Sequence, residues 1–463
     1  MLKGPIPSKP ALASDGLPAE QRRWAVTAIF VAVAMASLDT AIANVALPAI
    51  AADLHVTPAD AVWVVNAYQI ALVATLLPFA ALGEIVGHSR IYLAGLLLFT
   101  IASLACACAW SLDSLLVARL VQGVGASGLM SVNTALVRFV YPQRMLGRGY
   151  GNNALVVATA FTLGPTVASG ILALGSWPWL FAVNIPFGVI AILIGLKTLP
   201  LTPKAGHAFD VLGALLTAGS VGLFVLGIGS AAHNAAPALA GGEILAGLVL
   251  GWLLLRRQAG HPAPMLPIDL FRRPMFALSA LTATCTFLVQ GVGFVALPFY
   301  LQDVLGRSQV ETGLFMTPWP LVVGIMAPIA GRLSDRYPVA ILGGVGVALL
   351  GLGMALLAWL PSNPTVLDIV WRMMVCGFGF GFFQAPNMKA LMSSAPPGRS
   401  GGASGILATA RLSGQTTGAA LAALCFDLAG RDGATVALGL GAAVAVVGSL
   451  LSFARLIAPV PES

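Results

Sequence analysis

The chain has 463 residues, 58% hydrophobic and only 9% charged, with a formal net charge of +7. Soluble domains carry about 25% charged residues, so this composition cannot build a water-facing surface. The surrounding medium is lipid, where each crossing takes about 20 apolar residues that satisfy their own backbone hydrogen bonds.

In chain order, residues 1–23 are polar, contain Pro5, Pro7, Pro10 and Pro18, and lack the apolar core and cleavage site of a signal peptide. They are expected to form a cytoplasmic tail before a first span that is retained. Apolar runs predict fourteen helical spans near 24–47, 61–83, 91–110, 112–137, 149–174, 178–196, 211–230, 236–255, 277–300, 313–331, 339–360, 366–388, 404–427 and 435–457. The eighth is shortened by Pro237 and Glu243, and residues 458–463 form a second cytoplasmic tail. The 52 glycines and 30 prolines fit such a bundle, because small residues let helices approach and neighbours re-satisfy what a proline frees.

The basic residues test the span count. With the N-terminus inside, 19 of the 24 Lys and Arg residues fall on the cytoplasmic side, in tails and loops or, for Arg455, at the inner end of the last span, among them Arg90, Arg144, Lys204, Arg256, Arg257, Arg336 and Arg399. Arg307 and Arg431 fall outside, and Arg119, Arg372 and Arg411 fall within spans. This is the positive-inside asymmetry that the right span count predicts; the chain is expected in a plasma membrane, a bacterial inner membrane, with both termini cytoplasmic. The basic balance therefore reflects topology, and nucleic acid is excluded as a partner. Cys106, Cys108, Cys285, Cys376 and Cys425 lie in apolar runs without C-x-x-C spacing and are expected to be small buried hydrophobes, with no metal or disulfide role. Trp24, Trp63, Trp110, Trp177 and Trp359 lie near span ends as expected interface anchors.

Four features repeat in register. The link after span 2 carries Glu84 and Arg90, and the link after span 10 carries Asp335 and Arg336. Arg119 follows Glu84 by 35 residues and Arg372 follows Asp335 by 37, each early in a span entered from outside. Each arginine precedes a glycine stripe, Gly123, Gly125 and Gly128 or Gly377, Gly379 and Gly381. The expected fold is thus an all-α polytopic membrane protein of two six-helix bundles, residues 24–200 and 261–457, with a helix pair inserted at 201–260. Repeats of this kind with a site between halves are common among secondary transporters.

At these residues the chain resembles the major facilitator superfamily, in particular its fourteen-helix drug:proton antiporter branch. Leu38-Asp39-Thr40 through Asn44 to Pro48 is similar to that branch's first-helix motif, and Arg119-Leu-Val-Gln122-Gly123-Val-Gly125 to the fourth-helix motif. Gly164-Pro165, followed by Trp177, Trp179, Phe181, Asn184 and Pro186, resembles the antiporter motif and its flank, and Gly331-Arg-Leu-Ser-Asp335-Arg336 the loop motif. Ala80 and Glu84 stand where the family usually has Gly and Asp, and Ala168-Ser169-Gly170 departs from the usual Gly-Gly. The resemblance implies alternating access driven by the proton gradient, without a cofactor, exporting small amphipathic molecules from a monomer.

Asp39 is the carboxylate well inside a span, about nine residues or roughly 13 Å from Pro48. Arg119 lies at a similar depth, roughly 10 Å, which allows an ion pair. An uncompensated charge at mid-helix costs about 2.5–3.5 kcal/mol, so both should face protein or a wet cavity. As a proton-coupling pair, Asp39 would exchange a proton with each side while Arg119 tunes it. Locked against the guanidinium with no route to solvent, it would only pin two helices. Expected to line a substrate cavity are Asn44, Tyr68, Gln69, Gln122, Asn152, Phe161, Gln290, Trp319, Phe382, Gln384, Asn387, Arg411 and Gln415. Glu84, Arg90, Asp335 and Arg336 are expected to form an inner gate, Glu84 meeting the helix start at Ser400–Gly405. Gly164 and Pro165 permit a kink. Three arginines against one acid favour neutral, zwitterionic or anionic substrates over dications.

Other classes lack their chemistry. A membrane enzyme needs clustered His, Asp, Glu or Cys within spans, and a primary pump needs a nucleotide loop; neither pattern occurs. A sensor would need a longer cytoplasmic module. Within transporters, the alternative is a proton-coupled importer of a small neutral or anionic solute.

Overall fold

The computed structural model describes residues 16–142, 145–202, 204, 209–232, 237–258, 268–334, 336–361, 363–394 and 400–457. These form α1 (Ala19–Asp53), α2 (Pro58–Val86), α3 (His88–Ala107), α4 (Leu112–Val140), α5 (Leu146–Leu174), α6 (Pro178–Ala182), α7 (Asn184–Thr198), α8 (Val211–Ala232) and α9 (Pro237–Gln258). They continue as α10 (Pro274–Phe299), α11 (Gln309–Met316), α12 (Pro318–Leu333), α13 (Val339–Ala358), α14 (Val366–Ser393), α15 (Ser400–Ala429) and α16 (Gly433–Ala454). No strand occurs among the described residues.

Twelve segments among them are long and apolar enough to cross a membrane. Beside them α8, 22 residues long, adds an apolar stretch at Val211–Phe224, and the stretch Ile406–Ala454 comprises two helices, α15 and α16, joined by a turn at Gly430–Asp432. The sixth and tenth expected spans are each broken. Val183 separates α6 from α7 and Thr317 separates α11 from α12. Pro186 and Pro318 sit in the first turn beyond each break, where a missing N–H costs nothing. By contrast α5 runs through Pro165 without interruption.

Four helices entering from the same end begin with reciprocal capping boxes: Thr57 with Asp60, Ser111 with Ser114, Ser308 with Glu311 and Thr365 with Asp368. They are α2, α4, α11 and α14, so the caps obey the same internal repeat as the loop charges. The glycine stripes repeat a packing role. A Cβ on Gly123 would strike the Tyr68 carbonyl of α2, and one on Gly125 would lie 2.5 Å from the Phe99 nitrogen of α3. In the second half Gly377 meets Trp319 of α12, and Gly346 would place a Cβ 2.7 Å from Phe383 of α14. Absent side chains thus set how closely α4 and α14 approach their neighbours.

The two halves are joined unequally along their length. At the end where α1 finishes and α2 begins, one apolar core contains Ile42, Leu47 and Val62 together with Phe287, Leu297, Met316 and Phe426. At the opposite end the halves keep separate cores, one around Leu17, Leu136 and Leu199, the other around Leu270, Phe276 and Leu391. Leu412 and Ala408 of α15 cross between them, against the first half. Side seams follow α2 with α15 and α5 with α11 and α12, while α8 packs on α2 and α15 and α9 packs on α8.

Cys106, Cys376 and Cys425 are buried, whereas Cys108 is exposed, against expectation. Trp110 and Trp359 are exposed as anchors should be, but Trp177 is buried because its Nε1 donates to Asp53 at 2.7 Å.

Gly125→Ala should lower stability in detergent by about 1–3 kcal/mol through overpacking. Gly170, whose Cβ would meet nothing within 4 Å, should tolerate alanine or gain up to about 1 kcal/mol. Thermal unfolding of the two purified variants checks the difference in sign.

Candidate functional site

Asp39 lies in the middle of α1 and Arg119 two turns into α4, and they are 2% and 0% exposed. Arg119 Nη1 donates to Asp39 Oδ2 at 2.6 Å and to Gln122 Oε1 at 2.6 Å, while its Nε donates to the Val64 carbonyl at 3.0 Å. The other carboxylate oxygen, Oδ1, accepts from Gln122 Nε2 at 2.9 Å and from Asn184 Nδ2 at 2.8 Å. Gln122 also donates to Ser103 Oγ of α3 at 2.9 Å. Every helix of the first half from α1 to α4, and α7, thus reaches one buried charge pair. Arg119 Nη2 has no acceptor, and the guanidinium lies 4.3 Å from the Tyr68 ring and 5.3 Å from that of Phe181, close enough for cation–π attraction.

The break at Val183 explains Asn184. It restarts the helix so that Asn184 is the first residue of α7, buried against Asp39. Asn184 and Ser103 were not expected among the functional residues. A lone asparagine beside Pro186 in an apolar run is the signal that could have found the first; Ser103 offers none, since a serine in a span ordinarily bonds its own helix, as this one also does at Phe99.

Next to Asp39, Thr40 lines a central cavity of about 20 Å³ together with Asn44, Gln69, Phe161, Phe294 and Gln415. Four of these six, Asn44, Gln69, Phe161 and Gln415, belong to the expected cavity set; Thr40 and Phe294 do not. Gln415 Nε2 donates to Gln290 Oε1 at 2.8 Å, joining α15 to α10 beside the cavity. The space admits little more than one water, far below the roughly 300–1,000 Å³ of a ligand pocket. The carboxylate of Asp39 is not part of its lining.

Several expected lining residues do other work. Tyr68 and Gln122 serve Arg119. Trp319 is fully buried behind Phe294, ring centroids 5.3 Å apart. Asn387 belongs to a second polar cluster at the opposite end of α14. There Arg455, expected at the cytoplasmic end of the last span, is 2% exposed. Its Nη1 donates to Asn387 Oδ1 at 2.8 Å and to Ser279 Oγ at 3.2 Å, its Nε to the Ser452 carbonyl at 3.2 Å, and its Nη2 to Ser452 Oγ. Neutral oxygens from α10, α14 and α16 hold this arginine, and the apolar length of α16 draws it inward. Asn152, Phe382, Gln384 and Arg411 are half-buried, Phe382 stacked on Phe378 at 5.5 Å.

The repeat partner of Arg119 is chemically different. Arg372 pairs with Asp368 one turn earlier at 3.1 Å and lies against Trp371 at the helix entrance. Of the expected gate, Glu84, Arg90 and Arg336 are exposed; Asp335 and the side chains at 400–405 lie outside the described residues. Gly164 and Pro165 sit at a seam between halves. Gly164 faces Ala41 of α1, and the Pro165 carbonyl faces Gly313 of α11. Around them Thr166 and Thr317 hydroxyls are 2.8 Å apart, and Ser169 Oγ donates to the Gln309 carbonyl at 3.3 Å.

The family model described as Major Facilitator Superfamily matches residues 29–419. The "Uncharacterized transporter YebQ" of Escherichia coli is 48% identical over 97% of this chain and 99% of its own length. The "Riboflavin transporter RibZ" of Clostridioides difficile is 31% identical over 84% of this chain and 85% of its own. The "Multidrug resistance protein Stp" of Mycobacterium tuberculosis is 31% identical, covering 84% and 72% respectively.

Removing one member of a buried pair strands the other. Arg119→Ala and Asp39→Ala should each cost about 3–5 kcal/mol, and the double variant less than their sum. Detergent unfolding of the three variants measures this, and additive losses would contradict the coupling.

Proposed function

The chain is a membrane transporter of the major facilitator superfamily, and we propose that it exports small amphipathic molecules across a bacterial inner membrane in exchange for protons. We take it to work as a monomer with fourteen spans and both termini cytoplasmic, divided into halves at 24–200 and 261–457 around an insertion at 201–260. The name of the relative Stp and the Gly164-Pro165 seam support export.

The observation that carries the reading is that Asp39 adjoins Thr40, which lines the central cavity, while holding Arg119, Gln122 and Asn184. A proton on Asp39 would leave Arg119 without its counter-charge, so protonation favours any arrangement in which α1 has parted from α4 and α7. A ligand shifts such an equilibrium by its differential affinity for the two states, and a proton driven by about 100 mV adds about 2.3 kcal/mol. On this reading the joined cores close the outer side, the divided end faces the cytoplasm, and the exposed Glu84, Arg90 and Arg336, with Asp335, form the inner gate.

In the conformation described, Asp39 is locked against the guanidinium and its carboxylate borders no cavity given above. That favours a second reading of the pair alone, as a permanent pin between α1 and α4. Coupling therefore requires the lock to open in another state. The second reading of the substrate is proton-coupled import of a small neutral or anionic solute; the relative named as a riboflavin transporter supports a single small solute.

In efflux-deficient cells carrying wild type, resistance to several amphipathic drugs should rise, and Asp39→Asn should return it to the vector level at equal membrane abundance. Full resistance with Asp39→Asn would remove the coupling role. Failure of that variant to reach the membrane would support the pin. Dye accumulation by vesicles without a pH gradient would reverse the mechanism.

A further inference from the structure

The larger cavity lies away from the polar centre. It measures about 340 Å³ and is lined by Val73 and Leu77 of α2, Thr217, Ser220 and Val221 of α8, Leu248, Gly251, Trp252, Leu254 and Leu255 of α9, and Thr409 of α15. Its hydroxyls on α8 are spent internally: Thr217 donates to the Gly213 carbonyl at 2.8 Å and Ser220 to the Gly247 carbonyl at 2.9 Å. What they leave to an occupant is an apolar wall, which suits hydrocarbon and not a polar solute. Leu248, Trp252 and Leu255 are 56%, 48% and 43% exposed, so the cavity communicates with the surface of a helix that faces lipid.

One end of the cavity carries charge. Trp252, part of the lining, holds the Arg256 guanidinium 4.0 Å from its ring. Arg257 beside it pairs with Asp210 at 3.0 Å, which fixes the end of α9 to the start of α8. Arg256 is exposed, within the last turn of α9, at the level where a membrane-spanning helix meets headgroups. An apolar slot topped by a cation matches an acidic lipid at both ends, and basic pockets between spans are where such headgroups bind.

We propose that the inserted pair α8–α9 completes a lipid site: one acyl chain of an anionic phospholipid occupies the cavity between α2, α8, α9 and α15, and its phosphate lies on Arg256. The insertion then acts as a clasp, holding a leaflet lipid against the α2–α15 seam between the two halves. The site stands apart from Asp39 and from the direction of transport.

The test reconstitutes the full chain in vesicles of phosphatidylcholine containing phosphatidylglycerol with a diazirine on its acyl chain, and maps the crosslinks by mass spectrometry. Labels should fall on the α8 and α9 segments 211–224 and 248–255. Arg256→Gln should reduce them about fivefold, the loss of roughly one basic contact. Leu248→Trp, at an exposed position that folding tolerates, should block them by filling the slot. Equal labelling by diazirine phosphatidylcholine, or labelling undiminished in both variants, overturns the proposal. Labelling of the same segments by a photoreactive drug, with no lipid crosslink, would assign the cavity to substrate and overturn it as well.

Discussion

A guanidinium at mid-depth in a lipid-embedded bundle must be hydrogen-bonded by protein and is held best by an opposite charge, because no solvent is there to do either. Arg119 imposes that condition on the first half. One carboxylate from α1, one amide from α4 itself and one carbonyl from α2 surround it, while Asn184 and Gln122 fill the far oxygen of Asp39. The break in the sixth span, the buried Tyr68 ring and the close approach of α4 to α2 at Gly123 all serve this cluster. Its members come from five helices, so it can change only if several of them move together.

The molecule treats Arg455 and Arg372 differently. Arg455 has only neutral oxygens about it and binds α10, α14 and α16 at one end. Arg372 meets its acid one turn away on its own helix, near water. Neither ties a carboxylate on another helix. The internal repeat therefore preserved backbone design, in the capping boxes and glycine stripes, while the charge chemistry stayed with the first half.

The spans were readable because lipid imposes length and apolarity on every segment, and the repeat was readable because the glycines and loop charges recur at nearly equal spacing. The Asp39–Arg119 pair followed from matching depths along two antiparallel helices. Lining residues were less legible. Depth does not reveal which face a residue occupies, so Tyr68, Gln122, Trp319 and Asn387 were grouped with Asn44 and Gln415 although they point elsewhere. The burial of Arg455 was hidden because a basic residue at a span end reads as a loop charge until its neighbours are known.

Beside the apolar residues that α5 and α11 share, their seam carries glycine, threonine and serine. Thr166 touches Thr317, Ser169 reaches the Gln309 carbonyl, and Thr162 reaches the Pro320 carbonyl at 3.3 Å. Pulling that polar part of the joint apart bares hydroxyls and carbonyls that water can immediately greet. Under the proposed alternating access, such a joint would part with less newly bared apolar surface than the core that the two halves share.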